Sequence, residues 1–447
     1  MLTNYLLKNI NDIPDKVFIK NKNEDITYKK FSSYISDRSA SLKNFGVVKR
    51  DKVAIYLDDP CDILEIFFSC LLIGSIPVIL PYKLTTFEIN KITSTIDFSL
   101  FISSWDKLKN IKIKHVSTIP IQELSHSSSG CSIKSIDTDF SIDETQIILF
   151  TSGTTGFPKA VQLSAKNIIR SANSWDKEMH FSEINNYLCC IPLYHIGGIS
   201  IILRSLIHKF TVVIHQNFNT NMILDTVLDF KIDLISLVPT MLQNLIHNDR
   251  GIKIASAFKT IIMSGGPASS KLLDEILHHK LPVYISYGMT ETASGICGFW
   301  INNYPNKKSS VGLKHQDVKL KINNGLLHIK SPMVMNGYID DINPNDWFNT
   351  NDKAKIDRDG FITIKMNDRG KIISGGINID TIEIETILKS HPLIKTAKVI
   401  GKKDDIWGQK IVAYIESNEL DKLQIENLLN EKLSKHKIPK EIIVNNK

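Results

Sequence analysis

An apolar run from Ile66 to Leu80 constrains the fold of this chain more than any other feature. It is about 15 residues long and is broken by Gly74 and Pro77, whereas a bilayer span needs roughly 20. It therefore has to be buried inside a protein core. It divides into a helix over Cys61–Ile73, stopped by Gly74, and a short inner strand over Ile76–Leu80. Lys52-Val-Ala-Ile-Tyr-Leu in front of it reads as another strand. Strand, helix and strand in that order are the unit of a largely parallel α/β sheet.

The same alternation returns between Gln146 and Ile285, with strands at Thr211, Leu234, Thr260 and Val283. From Val318 to Ile364 the pattern shortens to strands separated by Asn-Gly, Asp-Gly and Asn-Pro turns. After Gly376 a helix at Thr381–Ser390, strands at Thr396–Ile400 and Ile411–Ile415 and a helix at Glu419–Lys435 fit a compact α+β unit. The expected fold class is α/β. A large N-terminal domain of α/β layers spans 1–368 and includes a β-rich subdomain at about 310–368. A small, mobile α+β C-terminal domain spans 369–447. The polar stretch 125–136 reads as a loop.

Composition removes several function classes. The 447 residues are 43% apolar and 23% charged, as in an ordinary globular protein. The net charge of +7, from 54 basic and 47 acidic residues, is thin over this length. No Lys/Arg block is dense enough for a nucleic-acid partner. Cys61, Cys70, Cys131, Cys189, Cys190 and Cys297 include no Cys-x-x-Cys pair, so reduced thiols and a cytoplasmic location are expected. The polar N-terminus is too short for a signal peptide, and no membrane span is expected.

Leu149-Phe-Thr-Ser-Gly-Thr-Thr-Gly-Phe-Pro-Lys-Ala-Val-Gln-Leu carries the chemistry. One strand, Gln146–Phe150, enters it and another, Ala160–Leu163, leaves it. Between them stand Thr151, Ser152, Gly153, Thr154, Thr155, Gly156 and Lys159. The glycines let backbone N–H groups approach a polyphosphate. The hydroxyls donate to phosphate oxygens, and the lysine supplies a point charge. Pro158 precedes the lysine and a strand follows it, so this is not a Walker A loop.

Thr-Ser-Gly-Thr-Thr-Gly-x-Pro-Lys resembles the signature of adenylate-forming enzymes: acyl- and aryl-CoA ligases, nonribosomal adenylation domains and luciferases. Later segments stand in that family's order. Pro192-Leu-Tyr-His-Ile-Gly-Gly is similar to the segment in which His195 gates the acid pocket and Gly197 and Gly198 line the thiol tunnel. Ser264-Gly-Gly-Pro, with Gly265 and Gly266, resembles a loop lining the adenine and acyl pockets. In Ser286-Tyr-Gly-Met-Thr-Glu-Thr the resemblance implies that Tyr287 stacks on adenine, with Gly288 beside it in the nucleotide site, that Thr290 contacts the α-phosphate and that Glu291 holds Mg²⁺. Asp352 takes the ribose-binding position, with Asn351 where the family has Gly. Ser374, Gly375 and Gly376 match the loop facing the pantetheine arm.

Two places depart from the pattern. The family's ribose Arg and hinge Asp align without gaps on Asn367 and Gly370, with Asp368 and Arg369 out of register. A C-terminal catalytic lysine that the resemblance leads one to expect is not in this chain, and Lys440 and Lys447 are the stand-ins on offer. The implied cofactors are ATP, Mg²⁺ and coenzyme A, and the implied partner is a small-molecule carboxylic acid. Homo-oligomerisation is left open.

Cys190-Ile-Pro-Leu-Tyr-His-Ile-Gly-Gly-Ile-Ser-Ile-Ile-Leu-Arg-Ser is most similar to o-succinylbenzoate–CoA ligases of menaquinone and phylloquinone biosynthesis. That acid has two carboxylates, and one stays free when the other is adenylated. A buried carboxylate needs a cation or donors. Arg204, two turns beyond Gly197, is the candidate. Another acyl- or aryl-CoA ligase, an enzyme loading a carrier protein, and a degenerate nucleotide-binding member remain alternatives.

Overall fold

The computed structural model describes residues 1–124, 141–151, 158–339, 341–342, 346–365, 371–375, 377–404, 407–417 and 419–445. The 125–136 stretch, the Asn343-Pro344 turn and the 368/369 boundary lie outside them.

The apolar run folds as its composition requires. The helix Pro60–Ile73 starts on Asp59, whose carboxylate accepts from the amides of Cys61 and Asp62. Pro60 occupies the first turn, where its missing N–H costs nothing. Gly74 closes the helix at φ +83°, a left-handed conformation that penalises a Cβ. The chain turns directly into the strand Ile76–Ile79, which pairs in parallel with Lys52–Tyr56.

Among the described residues, two large sheets carry the N-terminal part. One has eight strands, with a parallel core formed by the strands starting at Thr145, Ile76, Lys52, Leu100 and Thr118. The other has nine, with a parallel core at Val283, Thr260, Leu234, Asn186, Thr211 and Val17. Antiparallel strands occur at the edges of both. One aliphatic and aromatic core joins residues of both sheets to the helices Pro60–Ile73 and Ile196–His208. Wholly buried strands such as Thr211–Ile214 and Leu234–Leu237 explain why their sequences do not alternate.

The β-rich region is a four-stranded antiparallel sheet of Lys319–Asn323, Leu326–Lys330, Phe348–Ile356 and Ile362–Lys365. Asn324 and Gly325, both at positive φ, form its first tight turn. The C-terminal unit has its own core, from Ile372 to Ile442. A hairpin, Lys371–Ser374 with Ile377–Asp380, packs on a three-stranded sheet. The last helix is shorter than its sequence suggests, Lys422–Lys432 rather than 419–435. Asp421 caps its first turn and Leu433 is already extended.

Candidate active site

Loops at the carboxyl ends of the parallel strands converge, which is where open α/β sheets bind ligands. Thr151 ends one strand and Lys159 begins the next, and the two are register partners. Ser152, Gly153, Thr154, Thr155 and Gly156 between them lie outside the described residues, as do Arg369 and Gly376. Lys159 Nζ sits 4.6 Å from the centre of the Tyr338 ring. Tyr338 is brought there by antiparallel pairing of Gly337–Tyr338 with Val161 and Gln162. Its hydroxyl donates to Glu291 Oε1 at 3.0 Å. Burial, then the Glu291 carboxylate, push the Tyr338 phenol far above its ordinary pKa, so it stays a donor.

Glu291 lies in a 3-10 turn, Thr290–Thr292, directly after the strand Val283–Met289. Met335 N–H fixes its carbonyl at 2.8 Å. Four residues back, the Tyr287 hydroxyl donates to Asp352 Oδ2 at 2.6 Å. Burial, then Asp352, hold the Tyr287 phenol far above its ordinary pKa. Asn351 does adopt positive φ, +58°, as the replacement for Gly demanded. Gly288 cannot carry a side chain, because a Cβ would meet the Ser294 carbonyl at 2.0 Å. Ser264, Gly265 and Gly266 follow the strand Thr260–Met263, with Gly265 at φ +82°. The two residues expected to meet adenosine are thus in contact with each other, and the expected metal ligand and the loop lysine are joined through Tyr338.

The helix Ile196–His208 begins at His195 and carries the residues expected at the acid end. Gly198 is forced, since a Cβ would stand 2.4 Å from the Pro192 carbonyl. Gly197 faces Ile191 without conflict. Burial, then the nearby His436, push His195 down to about 4, so it is neutral at physiological pH. Gly197 and Arg204 lie about 10 Å apart along the helix axis.

Arg204 is buried, with 3% of its surface exposed. Its guanidinium stacks on Trp175 at 4.5 Å and donates from Nη2 to Ser294 Oγ at 2.8 Å. Its Nε has no partner, nor have Ser200 Oγ, one turn earlier, and Trp175 Nε1. Among the described residues no carboxylate pairs with it. Burial pushes its pKa down to about 10, opposed by Tyr187. Ser294 sits at φ +114°, which strains a residue other than glycine. A Cβ at Gly295 would meet both Ser286 Oγ and Trp175 at 2.4 Å. A cation, a strained serine and a tightly packed indole therefore share one buried place.

The C-terminal unit closes over this cleft. Ile373 reaches the Ser264–Gly266 loop, where a Cβ on Gly266 would stand 3.1 Å from Ile373 Cγ2. Ser374 is buried, and Gly375, at φ +59°, donates its N–H to the Trp407 carbonyl at 2.9 Å. Lys440 lies over the Trp407 ring at 5.1 Å, and Lys447 is outside the described residues.

Sequence reasoning missed Tyr338, Trp175, Ser294 and His436. Tyr338 follows an Asn-Gly turn signal that says nothing of chemistry. Trp175 has the helical spacing of an ordinary core residue. Only Ser294, three residues after Glu291, lay close enough to a motif to be flagged. Among the described residues no group of three His, Cys, Asp or Glu side chains could hold a metal, and no helix is long and apolar enough to cross a membrane.

The AMP-binding enzyme family matches residues 6–339, and the AMP-binding enzyme C-terminal domain matches 383–447. A 2-succinylbenzoate–CoA ligase of Bacillus subtilis (strain 168) is 30% identical over 460 residues, covering 99% of this chain and 93% of the relative. A double mutant of o-succinylbenzoate CoA synthetase from Bacillus subtilis, bound with a product analogue, superimposes with a TM-score of 0.92. Identity is 28%, covering 99% of this chain and 94% of that one. The enzyme of the same name from that organism, in complex with its acyl-adenylate intermediate, gives 0.77 at 29% identity and the same coverage. With identity almost equal, the gap in score reflects how the parts are arranged. The arrangement here follows the product-analogue complex.

Proposed function

We infer that this chain, which belongs to the AMP-binding enzyme family, is an ATP-dependent, AMP-forming acid–CoA ligase acting on o-succinylbenzoate. The observation that carries the substrate is Arg204: a buried guanidinium with a free Nε and no carboxylate partner among the described residues. A buried cation left unpaired is costly, and a substrate carboxylate relieves it. Bidentate donors from guanidinium and Ser294 suit a planar carboxylate. Trp175 gives the aromatic ring an apolar wall. In this reading the chain serves menaquinone or phylloquinone biosynthesis and works in the cytoplasm.

In the first step the other carboxylate attacks the α-phosphorus of ATP, the bond to the β-phosphate oxygen breaks, and pyrophosphate leaves. The 151–159 segment holds the phosphates, with Lys159 as its charge. Thr290 donates to the α-phosphate, and Asp352 exchanges the Tyr287 hydroxyl for the ribose hydroxyls. Glu291 would hold Mg²⁺ through its carboxylate, a hard oxygen donor of the kind this ion prefers. When bound, Mg²⁺ neutralises phosphate charge. In the second step coenzyme A thiolate attacks the acyl carbon, and AMP departs with the bonding pair. Neutral His195 and the narrow Gly197–Gly198 backbone shape the thiol's path, while Ser374 and Gly375 face its arm. Rate acceleration comes from positioning and preorganised charge.

Relatives such as the 2-succinylbenzoate–CoA ligase of Bacillus subtilis carry the name of this activity. The supporting experiment is pyrophosphate–ATP exchange with o-succinylbenzoate, followed by thioester formation with free coenzyme A. Exchange without transfer to coenzyme A would point to a carrier-protein acceptor. Exchange with a fatty or other aryl acid and none with o-succinylbenzoate would overturn the substrate.

A further inference from the structure

The contact between the C-terminal unit and the large domain contains a buried ion triad that the reaction scheme does not use. Lys437 Nζ lies 2.7 Å from Glu88 Oε1 and 2.9 Å from Glu383. Glu88 is in the first turn of the large-domain helix Thr86–Thr95, whereas Glu383 and Lys437 both belong to the C-terminal unit. Glu88 is 4% exposed, Glu383 6% and Lys437 9%. Ser434 Oγ also donates to Glu88, and Thr85 Oγ1 donates to the Lys432 carbonyl at 3.2 Å. The C-terminus of one helix thus meets the N-terminus of another, with favourably opposed dipole ends.

We propose that Lys437, gripping Glu88 across this contact, is a positioning residue that latches the C-terminal unit in the orientation that performs thioester formation.

The chemistry of the triad makes the latch reversible. When the two bodies separate, Lys437 keeps Glu383 within its own unit. Glu88 keeps the Thr85 N–H, 2.8 Å from Oε2, within its capping box. Neither body is left with an orphaned buried charge, the outcome that makes breaking most buried pairs so costly. Closing adds the Glu88–Lys437 bond, the Ser434 and Thr85 hydrogen bonds and the Ile373–Gly266 contact together. None of its hydrogen-bond partners is among the residues expected to meet adenosine, so it weighs one orientation against another without touching ATP. Assigning this orientation to thioester formation rests on the ligase reading above.

Glu88→Gln tests it most cleanly, because Gln still completes a capping box and the helix survives. Lys437→Met is the second variant. Each half-reaction is measured alone: pyrophosphate–ATP exchange, and single-turnover transfer from pre-made acyl-adenylate to coenzyme A. The expected result is transfer slowed about 10-fold or more, about 1.4 kcal/mol of lost preference, with exchange within about two-fold of the parent. Transfer at the parent rate in a folded Glu88→Gln protein, or an equal fall of both half-reactions, overturns the latch. A distance measurement between spin labels at Lys109→Cys, on the large-domain helix Trp105–Asn110, and Lys422→Cys, on the C-terminal unit's last helix, needs no substrate. Glu88→Gln should broaden or lengthen that distribution, and an unchanged distribution also overturns the latch. If the parent handles neither half-reaction with o-succinylbenzoate while the distribution still shifts, the substrate reading fails and the latch stands.

Discussion

The nucleotide end and the acid end of the cleft solve opposite problems. At the nucleotide end the described phenols and carboxylates are paired within the site, Tyr287 with Asp352 and Tyr338 with Glu291, and Lys159 lies over the Tyr338 ring. Such a site rests satisfied and trades one partner for another when ATP arrives. At the acid end Arg204 Nε, Ser200 Oγ and Trp175 Nε1 are buried and unmatched. In the proposed reading that site stores a cost which the free carboxylate of the acid removes. The contrast separates groups that run a shared chemistry from groups that choose a substrate.

The largest effect should fall on the shared chemistry. Glu291→Gln keeps an acceptor for the Tyr338 hydroxyl but loses the charge that holds Mg²⁺. Pyrophosphate exchange should drop about 10²-fold or more, with the melting temperature unchanged. A smaller drop would mean Glu291 is structural.

Arg204→Met comes next and should act in two directions. The KM for the dicarboxylate should rise about 10²-fold, because one buried charge-assisted contact is lost. The ligand-free protein should melt at a higher temperature, because an unpaired buried charge has been replaced by an apolar side chain of similar reach. Loss of stability would break the contrast between the two ends.

Acid should damage the acid end first. Burial, then Arg204, push His315 down to about 3, while in the unfolded chain it titrates near 6.5. Its ring lies 3.3 Å from Ser174 Oγ and 3.3 Å from the Tyr284 hydroxyl. As pH falls below 6.5 the unfolded chain takes up a proton that the folded chain refuses. The contribution is therefore complete above about 6.5 and is lost on acidification, about 2 kcal/mol by pH 5. His195 and His436, both pushed down to about 4, lose stability in the same direction, so the His315 share is the difference between the parent and His315→Gln in chemical denaturation at pH 7 and pH 5, and Arg204→Met should flatten the slope.

The smallest effect belongs to Tyr287→Phe. Ribose displaces the phenol from Asp352 in any case, so the KM for ATP should change by only about 3-fold. A change of 10²-fold would show that the hydroxyl itself contacts the nucleotide.

The nucleotide end was legible because its chemistry sits in contiguous strand-end segments, and a one-residue change such as Asn351 could be judged from backbone preference alone. The helix stop at Gly74 was equally readable, as local capping decides it, whereas the start at Pro60 on Asp59 lies one residue before the expected Cys61. The acid end was readable only at Arg204. Trp175, Ser294 and Tyr338 join the site through packing between segments far apart in the chain, and their local sequence contains no trace of it. Lys437 stands three residues before Lys440, which drew attention for another reason, and Glu88, the N3 residue of a capping box, was not singled out at all.

The most direct test of the central claim is the acid dependence of pyrophosphate–ATP exchange. It compares o-succinylbenzoate with two analogues, each lacking one carboxylate. If Arg204 waits for a second carboxylate, the analogue that keeps only the reacting one should exchange about 10²-fold less efficiently. The other analogue should not exchange at all. Equal efficiency for the diacid and a monoacid would contradict the account.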